Sequence, residues 1–344
     1  MNPGDDHLDI RTPYLLFLGG AGNELDAKTA LGLAEWRPEE CVGQLRYANC
    51  RVDTGLPDMN ILQAKRAGAR SLLIGVAPTG GAIKPEWEST LCDALESGLD
   101  VVSGLHTPLE SLPKIANTAF RSGQRLISVR VPPDDIAVAT GRKRSGKRML
   151  MVGTDCCVGK KYSALALHRA LRQGGIAATF RATGQTGILI AGEGIPMDAV
   201  VSDFLSGAAE KLTPDNEPGH WDVIEGQGSL FHPAYAAVTL GLVHGSQPDA
   251  MVLCHAPGRT HIDEYPDYPI PPLAECIRRY EEAARLTNAQ ARCVAISLNT
   301  RGMGDAERTA ALREAGKETG LPVFDPLQSS PAELLQAISP VIAV

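Results

Sequence analysis

Residues that could bind a phosphate group stand together near the middle of the chain, in the segment MLMVGTDCCVGKKYSALALHRAL at 149–171. The apolar run before Gly153 predicts a strand, and the residues from Lys160 onwards predict a helix. Backbone N–H groups at a helix N-terminus bind anions, and the helix dipole strengthens that binding. The connecting loop therefore predicts a cofactor-binding site made of Gly153, Thr154, Cys156, Cys157, Val158, Gly159, Lys160 and Lys161.

The loop departs from the common phosphate-loop pattern GxxxxGK[ST] at its first and its last position, and at the first Thr154 replaces the glycine, with Gly153 one position earlier. Lys161 stands where a nucleotide-cleaving enzyme has the Ser or Thr that binds magnesium, and Ser163 lies two residues too late to replace it fully. A lysine cannot bind a cation, but it adds a second positive charge. The loop therefore suits a phosphate-rich anion that is held and not cleaved. Coenzyme A is such an anion, and we expect no metal ion.

Four segments of the second half occur in the order GTDCCVGKK, FRATGQTGILI, WDVIEGQGSL and CHAPGRTHID. Together they resemble a bacterial family first described only as a domain of unknown function, the D-glutamate N-acetyltransferase (DgcN-like) family. The variant GTDxxVGK also resembles the phosphate loop of dethiobiotin synthetase. The resemblance covers nearly the whole chain. It implies acetyl-CoA as donor, D-glutamate as acceptor, and a place beside an N-acetyl-D-glutamate racemase in D-glutamate catabolism.

Polar side chains that follow the predicted strands are candidates for binding an acidic amino acid. RATGQTG (181–187) and EGQGS (225–229) should lie at the carboxyl edge of a parallel sheet, where doubly wound sheets bind ligands. Arg181 could pair with a substrate carboxylate, and the alternative for its segment is a solvated turn. The substrate-binding residues predicted from these two segments are Arg181, Thr183, Gln185, Thr186 and Gln227.

Two carboxylates are candidates for the base, because amide formation requires a neutral amine and a proton must leave it. Glu225 is the first candidate and Asp155 the second. Each has a structural alternative. Glu225 could orient its own loop or, in a magnesium enzyme, hold the metal, and Asp155 could shape the phosphate loop.

The CHAPGRTHIDEYPDYP segment (254–269) reads as a substrate loop because it contains Pro and Gly and follows a strand. Arg259 offers a planar fork for a carboxylate. His255, a third catalytic candidate, and His261, a substrate-binding candidate, could titrate near neutral pH. Their spacing matches no standard metal-binding helix.

The phosphate loop also carries adjacent cysteines, Cys156 and Cys157. A thiol near a helix N-terminus and two lysines can have a lowered pKa and could carry an acetyl group between donor and acceptor. The favoured alternative is that both residues pack beneath the phosphate. Acetyl transfer would then be direct, through positioning of the two substrates and stabilisation of the oxyanion.

Short apolar runs alternate with helical stretches along the chain, which predicts parallel sheets with crossover helices. The predicted fold class is α/β, with an N-terminal Rossmann-like domain at 1–140 and a C-terminal P-loop-type doubly wound domain at 141–344. GRKRSGKR (141–148) is predicted to be a solvated linker, with binding of the adenosine phosphates as the alternative, and 197–212 is predicted to be a helix. In the first domain GGAG (19–22) and APTGGAIKP (77–85) follow strands. They predict tight turns or a ligand site to which Lys84 contributes.

Composition limits the functional class. The 344 residues carry a net charge of -7, which argues against a nucleic-acid partner, and no apolar run approaches the length of a membrane helix. The first fourteen residues are acidic and lack a signal core. The eight cysteines form no CxxC pair, so a disulfide framework or a structural zinc site is not expected. We expect a cytoplasmic homo-oligomer, in the simplest case a dimer, acting on a small molecule.

Three other functions compete with an acetyltransferase. An ATP-dependent ligase or kinase similar to dethiobiotin synthetase would hold magnesium with Glu225 and Asp155. A nucleotide-sensing module would bind a phosphorylated ligand without forming a product. An NAD-dependent oxidoreductase is disfavoured because GGAG lacks the GxGxxG spacing.

Overall fold

The computed structural model describes residues 9–78 and 80–342. Residues 1–8 of the acidic N-terminal segment and Thr79 of the APTGG turn lie outside the described residues. The chain divides into two compact units. The first unit consists of the described residues up to Val131 together with Gln185–Pro196, and the second consists of Pro132–Gly184 and the chain from Met197 onwards.

Strands and helices alternate through both units. The strands of the first unit are β1 (Tyr14–Gly19), β2 (Cys41–Arg46), β3 (Ser71–Ile74), β4 (Asp100–Ser103) and β5 (Leu126–Ser128). Those of the second are β6 (Lys147–Gly153), β7 (Ala178–Arg181), β8 (Trp221–Ile224), β9 (Ala250–His255), β10 (His261–Ile262), β11 (Tyr265–Pro269), β12 (Arg292–Leu298) and β13 (Val323–Phe324). The helices are α1 (Lys28–Trp36), α2 (Ile61–Arg66), α3 (Glu88–Glu96), α4 (Pro113–Ser122), α5 (Lys160–Gln173), α6 (Gln185–Ala191), α7 (Leu205–Leu212), α8 (Ala236–Ser246), α9 (Leu273–Arg285), α10 (Asp305–Thr319) and α11 (Pro331–Ile342).

The first unit is built on a parallel sheet with the strand order β2-β1-β3-β4-β5. Its strands β1, β3 and β4 are buried at every position, as expected for a parallel sheet covered on both faces. A buried charge lies in this interior: Asp100, at the start of β4, accepts hydrogen bonds from Arg11 Nε at 2.6 Å and from the Arg125 backbone N–H at 2.9 Å. These donors allow the carboxylate to be fully buried.

The second unit is built on a parallel sheet with the strand order β13-β12-β9-β6-β8-β7. Strand β6 lies between β9 and β8, and the three pair in parallel. The loops that follow β6, β7, β8 and β9 therefore leave the same edge of the sheet, and they contain the polar motifs of the second half. The two parallel sheets with their crossover helices confirm the predicted α/β fold class.

Helix α6 belongs to the first unit, although its sequence follows β7 of the second. Thr186 in α6 shares a hydrogen bond of 2.9 Å with Thr29 in α1, and Arg37 donates to the Ile190 carbonyl at 2.8 Å. The chain thus leaves the second unit after Gly184 and returns to it at Met197.

Two local predictions are wrong. In the basic segment 141–148, Arg144 and Arg148 are buried, with 6% and 0% of their surface exposed. Arg144 donates to the carbonyl oxygens of Thr213 and Gly245, and Arg148 to that of Arg144, so these cations bind backbone acceptors and are not solvated. The helix predicted at 197–212 is short 3-10 turns followed by α7 alone.

Candidate active site

The loop between β6 and α5 has the backbone of an anion-binding site. Gly159, the residue before α5, has φ +99°, a conformation that favours glycine, and Cys157 also lies in the left-handed region with φ +55°. No side chain caps α5, and its first turn contains no acidic residue. The positive end of the helix dipole is therefore left for a ligand, as the loop sequence predicts.

Lys160 is a buried cation of this loop. Its side chain is 7% exposed, and Nζ donates to the Asp155 carbonyl at 2.8 Å. No carboxylate within the described ranges forms an ion pair with it. Gly226, after β8, makes room for the lysine, because a Cβ there would lie 2.9 Å from Lys160 Cδ and 1.7 Å from the Met151 carbonyl oxygen. An anionic ligand would supply the missing negative charge.

The positions of Lys161 and Ser163 show whether this loop offers a hydroxyl group that could bind magnesium. Lys161 Nζ lies 4.5 Å from the ring centroid of Tyr162. Ser163 is fully buried; its hydroxyl donates to the Gly159 carbonyl at 3.0 Å and lies 2.8 Å from Ser297 Oγ. The hydroxyl of Ser163 thus faces the helix and the core, so it does not replace the magnesium ligand that Lys161 displaces.

The start of the loop is held by residues that the sequence motifs did not reveal. The hydroxyl of Tyr280, in α9, donates to the Gly153 carbonyl at 2.7 Å and accepts from the Leu230 N–H at 3.1 Å. Ser229 Oγ donates to the same carbonyl at 2.9 Å. Ser229 belongs to the EGQGS motif, but Tyr280 lies in a helix without any motif, so only the tertiary structure identifies it.

Asp155 is fully buried, and both of its carboxylate oxygens accept hydrogen bonds. Oδ1 accepts from the Cys156 N–H at 2.6 Å, and Oδ2 accepts from Arg259 Nη1 and from the Asp263 N–H, both at 2.9 Å. Arg259 Nη1 also donates to the Cys156 carbonyl at 2.9 Å. This arrangement fits the loop-shaping alternative for Asp155, and it brings Arg259 against the phosphate loop.

Glu225 directly follows β8 and is almost completely buried. Its Oε2 accepts from the backbone N–H groups of Thr183 and Gly184, both at 3.0 Å. Burial raises the pKa of Glu225, although the two N–H groups and the charges of Lys161 and Lys160 oppose the rise. A carboxylate with a raised pKa is a stronger base than an ordinary one, and its bonds to 183–184 also orient that loop.

The substrate-binding candidates of the second unit differ in the hydrogen bonds that they already form with other protein groups. Thr183 Oγ1 donates to the Glu225 carbonyl at 2.7 Å and accepts from Gln227 Nε2 at 3.2 Å. Glu225, Thr183 and Gln227 thus form one cluster. Arg181 instead donates through Nε to Asp222 at 2.7 Å, on the neighbouring strand. A substrate carboxylate would have to compete with that ion pair.

The two histidines of the HAPGRTH segment lie in different surroundings. His255 ends β9, and its Nδ1 lies 2.9 Å from Thr154 Oγ1. Burial, followed by the charge of Arg259, lowers the pKa of His255 to about 4, so this ring is neutral at pH 7. His261 is exposed in β10, and its Nδ1 lies 3.0 Å from Thr260 Oγ1. His255 is thus in direct contact with the phosphate loop.

Three of the predicted substrate-binding residues belong to the first unit. Thr186 is buried there against Thr29, and Gln185 begins α6. Lys84 is exposed, with its Nζ 5.8 Å from the ring centroid of Trp87. The predicted turn TGQTG is therefore divided between the units, and its second half is helical.

The middle of the phosphate loop has a histidine neighbour that the sequence analysis did not select. Cys156 is half-buried, Cys157 is exposed and Val158 is buried. An oxygen of Asp155, the sulfur of Cys156 and a ring nitrogen of His232 lie within 4.8 Å of one another. His232 follows EGQGS by three residues, but it has no recognisable motif spacing.

Comparisons with known proteins agree with this architecture along the chain. Residues 42–132 match a family model described as a domain of unknown function (DUF1611_N), Rossmann-like domain, and residues 136–335 match one described as a domain of unknown function (DUF1611_C), P-loop domain. A crystal structure of a DUF1611 family protein from Anabaena variabilis has a TM-score of 0.86 and 34% identity, covering 95% of this chain and 99% of that chain.

Two curated relatives are also similar over nearly their whole lengths. A protein of Tritonibacter scottomollicae named D-glutamate N-acetyltransferase is 50% identical over 96% of this chain and 100% of its own. A protein of Pseudoalteromonas with the same name is 44% identical over 93% of this chain and 97% of its own. The chain therefore belongs to the DUF1611 family, in which a Rossmann-like domain precedes a P-loop domain, and this confirms the resemblance seen in its motifs.

Proposed function

We propose that this protein transfers the acetyl group of acetyl-CoA to the amino group of D-glutamate. The observation that carries the activity is the similarity, over nearly the full length, to two curated proteins named D-glutamate N-acetyltransferase. The catabolic setting beside an N-acetyl-D-glutamate racemase is part of the same proposal.

The phosphate loop supports the choice of acetyl-CoA as donor. It combines an uncapped helix N-terminus, the buried ammonium of Lys160 and the second lysine at 161. Because Lys161 and the inward-facing Ser163 leave this turn without a magnesium-binding hydroxyl, we propose that the loop holds the phosphates of CoA without a metal ion.

The acceptor is an acidic amino acid, and we propose Arg259 as the partner of one of its carboxylates. The hydrogen bonds of the Arg259 side chain within the described residues all use Nη1. Its Nε and Nη2 therefore remain for the paired N–H groups that bind a carboxylate. Gln227 and Thr183 lie beside Glu225 and would provide further polar contacts to the amino acid.

In the reaction, the neutral amine of D-glutamate attacks the thioester carbonyl carbon, a C–N bond forms, and the C–S bond breaks. The amine gives up a proton, and the CoA thiolate that leaves is protonated to the thiol. Glu225 is the proposed proton acceptor, because its raised pKa brings it closer to the working pH than an ordinary carboxylate. The transfer is direct, without an acetyl-cysteine intermediate.

We also propose that the enzyme works in the cytoplasm as a homodimer. Its cysteines are thiols throughout the described chain. None of the helices described is long and apolar enough to cross a membrane. Light scattering of the purified protein would measure the molar mass of the assembly directly.

The decisive experiment combines product detection with binding. Mass spectrometry of reactions with acetyl-CoA and single D- or L-amino acids should detect N-acetyl-D-glutamate, with less product from L-glutamate. Calorimetry should show binding of acetyl-CoA in the absence of magnesium. Tight binding of ATP with magnesium, turnover to ADP and indifference to CoA would instead establish the ligase or kinase alternative.

A further inference from the structure

His232 is a buried titratable residue to which neither the sequence motifs nor the proposed reaction gives a role. Its side chain is 4% exposed. The ring packs against Tyr235 at a centroid distance of 4.5 Å and against Tyr265 at 5.0 Å, so its orientation is fixed on two sides. One ring nitrogen is within 4.8 Å of an oxygen of Asp155 and the sulfur of Cys156. His232 therefore borders the loop that we propose to hold the phosphates.

A backbone hydrogen bond determines which nitrogen of His232 carries the proton. The N–H of Ala234 donates to Nδ1 at 3.1 Å. A nitrogen that accepts a hydrogen bond carries no proton, so in the neutral ring the proton is on Nε2. Burial lowers the pKa of His232, although the charge of Asp155 opposes this, and the ring is therefore neutral at pH 7.

This tautomer argues against two familiar roles for His232. To accept a proton or bind a metal through Nε2, the ring would have to carry its proton on Nδ1 instead. The Nδ1–H group would then point at the N–H of Ala234, and the two donors would repel each other. To use Nδ1, it would have to break the hydrogen bond to Ala234. In addition, both oxygens of the neighbouring Asp155 already accept N–H groups. The cluster of Asp155, Cys156 and His232 is thus poorly suited to bind a metal ion.

The remaining role is that of a hydrogen-bond donor. Nε2 of His232 has no hydrogen-bond partner among the described residues. It is also not a completely buried atom, so it faces space that solvent or a ligand can reach. We propose that His232 is a fixed N–H donor of the phosphate loop, which binds an oxygen of the anion held there through Nε2. This inference rests on the proposed function where that anion is identified as the pyrophosphate of CoA.

Two substitutions separate a donor from the other roles. The side-chain amide of glutamine in His232→Gln can place an N–H near the position of Nε2, whereas that of asparagine in His232→Asn reaches only the position of Nδ1. Calorimetry with CoA should show about tenfold weaker binding for His232→Asn and a loss of no more than about threefold for His232→Gln, because a hydrogen bond to a charged group is lost only in the first. Thermal unfolding of both variants serves as the control for folding.

Other outcomes would overturn the inference. Unchanged CoA affinity in a folded His232→Asn protein would exclude the donor role, as would an equal loss in both variants. A fall in kcat at unchanged affinity would identify a base, and zinc binding by the wild type that both variants lose would identify a metal ligand. Inorganic pyrophosphate is a second probe. If the wild type binds pyrophosphate but not CoA, CoA is not the donor substrate, and pyrophosphate binding by the two variants still tests the role of His232. If the wild type binds neither, both the proposed donor substrate and the proposed role of His232 are wrong.

Discussion

At the scale of single residues, the phosphate loop differs from a magnesium-dependent, nucleotide-cleaving loop at the position that would bind the metal. Lys161 adds charge where a hydroxyl would bind magnesium, and Ser163, the nearest hydroxyl, is buried against Gly159 and Ser297. A lysine ammonium group and a hydroxyl group are not interchangeable here. The ammonium group can bind a phosphate oxygen, but it cannot bind a magnesium ion, which needs an oxygen ligand.

Replacing this lysine tests whether it contacts the phosphates. We expect Lys161→Thr to weaken CoA binding by about three- to tenfold, since a charge-assisted contact from a half-buried lysine is lost, and to bring no gain in acetyl transfer. Lys161→Arg is the matched control and should bind CoA nearly as well as the wild type. Calorimetry measures both affinities, and unchanged affinity in Lys161→Thr would remove Lys161 from the binding site.

Glu225→Gln tests the base. The variant keeps an oxygen that can accept from Thr183 and Gly184, but it cannot take up the proton, so kcat should fall about 100-fold or more. The raised pKa of Glu225 means that the folded state binds its proton more tightly than the unfolded state does. Stability is therefore lost as the pH rises through the raised pKa, and the variant should be at least as stable as the wild type at pH 7.

The change in kcat and the change in stability together show whether Glu225 acts as the base or only orients its loop. Steady-state kinetics and thermal unfolding should be compared with those of Glu217→Gln, a variant at an exposed position. A higher KM for acetyl-CoA with kcat unchanged would assign Glu225 to loop orientation alone.

Sequence reasoning selects candidate residues that a local pattern marks, and it does not select those whose contacts depend on the tertiary fold. The loop 153–161 follows from a local strand, glycine and helix pattern. His232 and Tyr280 contact residues far away in the sequence, and a lone histidine or tyrosine gives no spacing from which such contacts could be predicted. Asp155 was found, but its three N–H donors come from separate positions and could not be counted.

At the scale of elements, the site depends on how closely the loop after β8 approaches strand β6 and Lys160 of the phosphate loop. Gly226 permits this approach, because a side chain there would overlap the Met151 carbonyl and press on Lys160. The strand that precedes each loop could be predicted from its apolar run. The close approach of the loop after β8 to β6 follows from the sheet order, in which β6 pairs with β8.

Gly226→Ala should therefore disturb both the fold and the phosphate loop. We expect a loss of at least about 2 kcal/mol in the free energy of unfolding, because the backbone must move to relieve the overlap. Gly219→Ala is the control, since its Cβ would meet no atom within 4 Å and the position is exposed. Urea denaturation measures both changes, and a stable Gly226→Ala protein with normal CoA binding would refute the close approach.

At the scale of the whole molecule, stability in acid also depends on charges that are not part of the candidate site. Asp100 is buried in the first unit, and hydrogen bonds from Arg11 and Arg125 outweigh the effect of burial and hold its pKa below the ordinary value. A carboxylate with a lowered pKa stabilises the fold above its unfolded-state pKa of about 4, and this stabilisation is lost as the pH falls towards the folded-state value.

Asp100→Asn should lower the free energy of unfolding of the first unit by about 1–2 kcal/mol at pH 7, with a smaller difference from the wild type below about pH 4. Asp9→Asn, which removes an exposed partner of Arg125, should change it by less than about 0.5 kcal/mol. Hydrogen exchange followed by mass spectrometry would localise the loss to β4 and its neighbours. Equal effects of the two substitutions would contradict the role of the buried carboxylate.

Residues 185–196 belong to the first unit, and this affects how the protein can be divided into separate domains. A fragment cut after Val131 would lack α6 and with it the partners of Thr29 and Arg37. A protease nick between 131 and 132 would leave α6 covalently attached to the other fragment while it still packs in the first unit. An isolated N-terminal domain should therefore be produced with α6 grafted to its end, and simple truncation after Val131 should yield a less stable product.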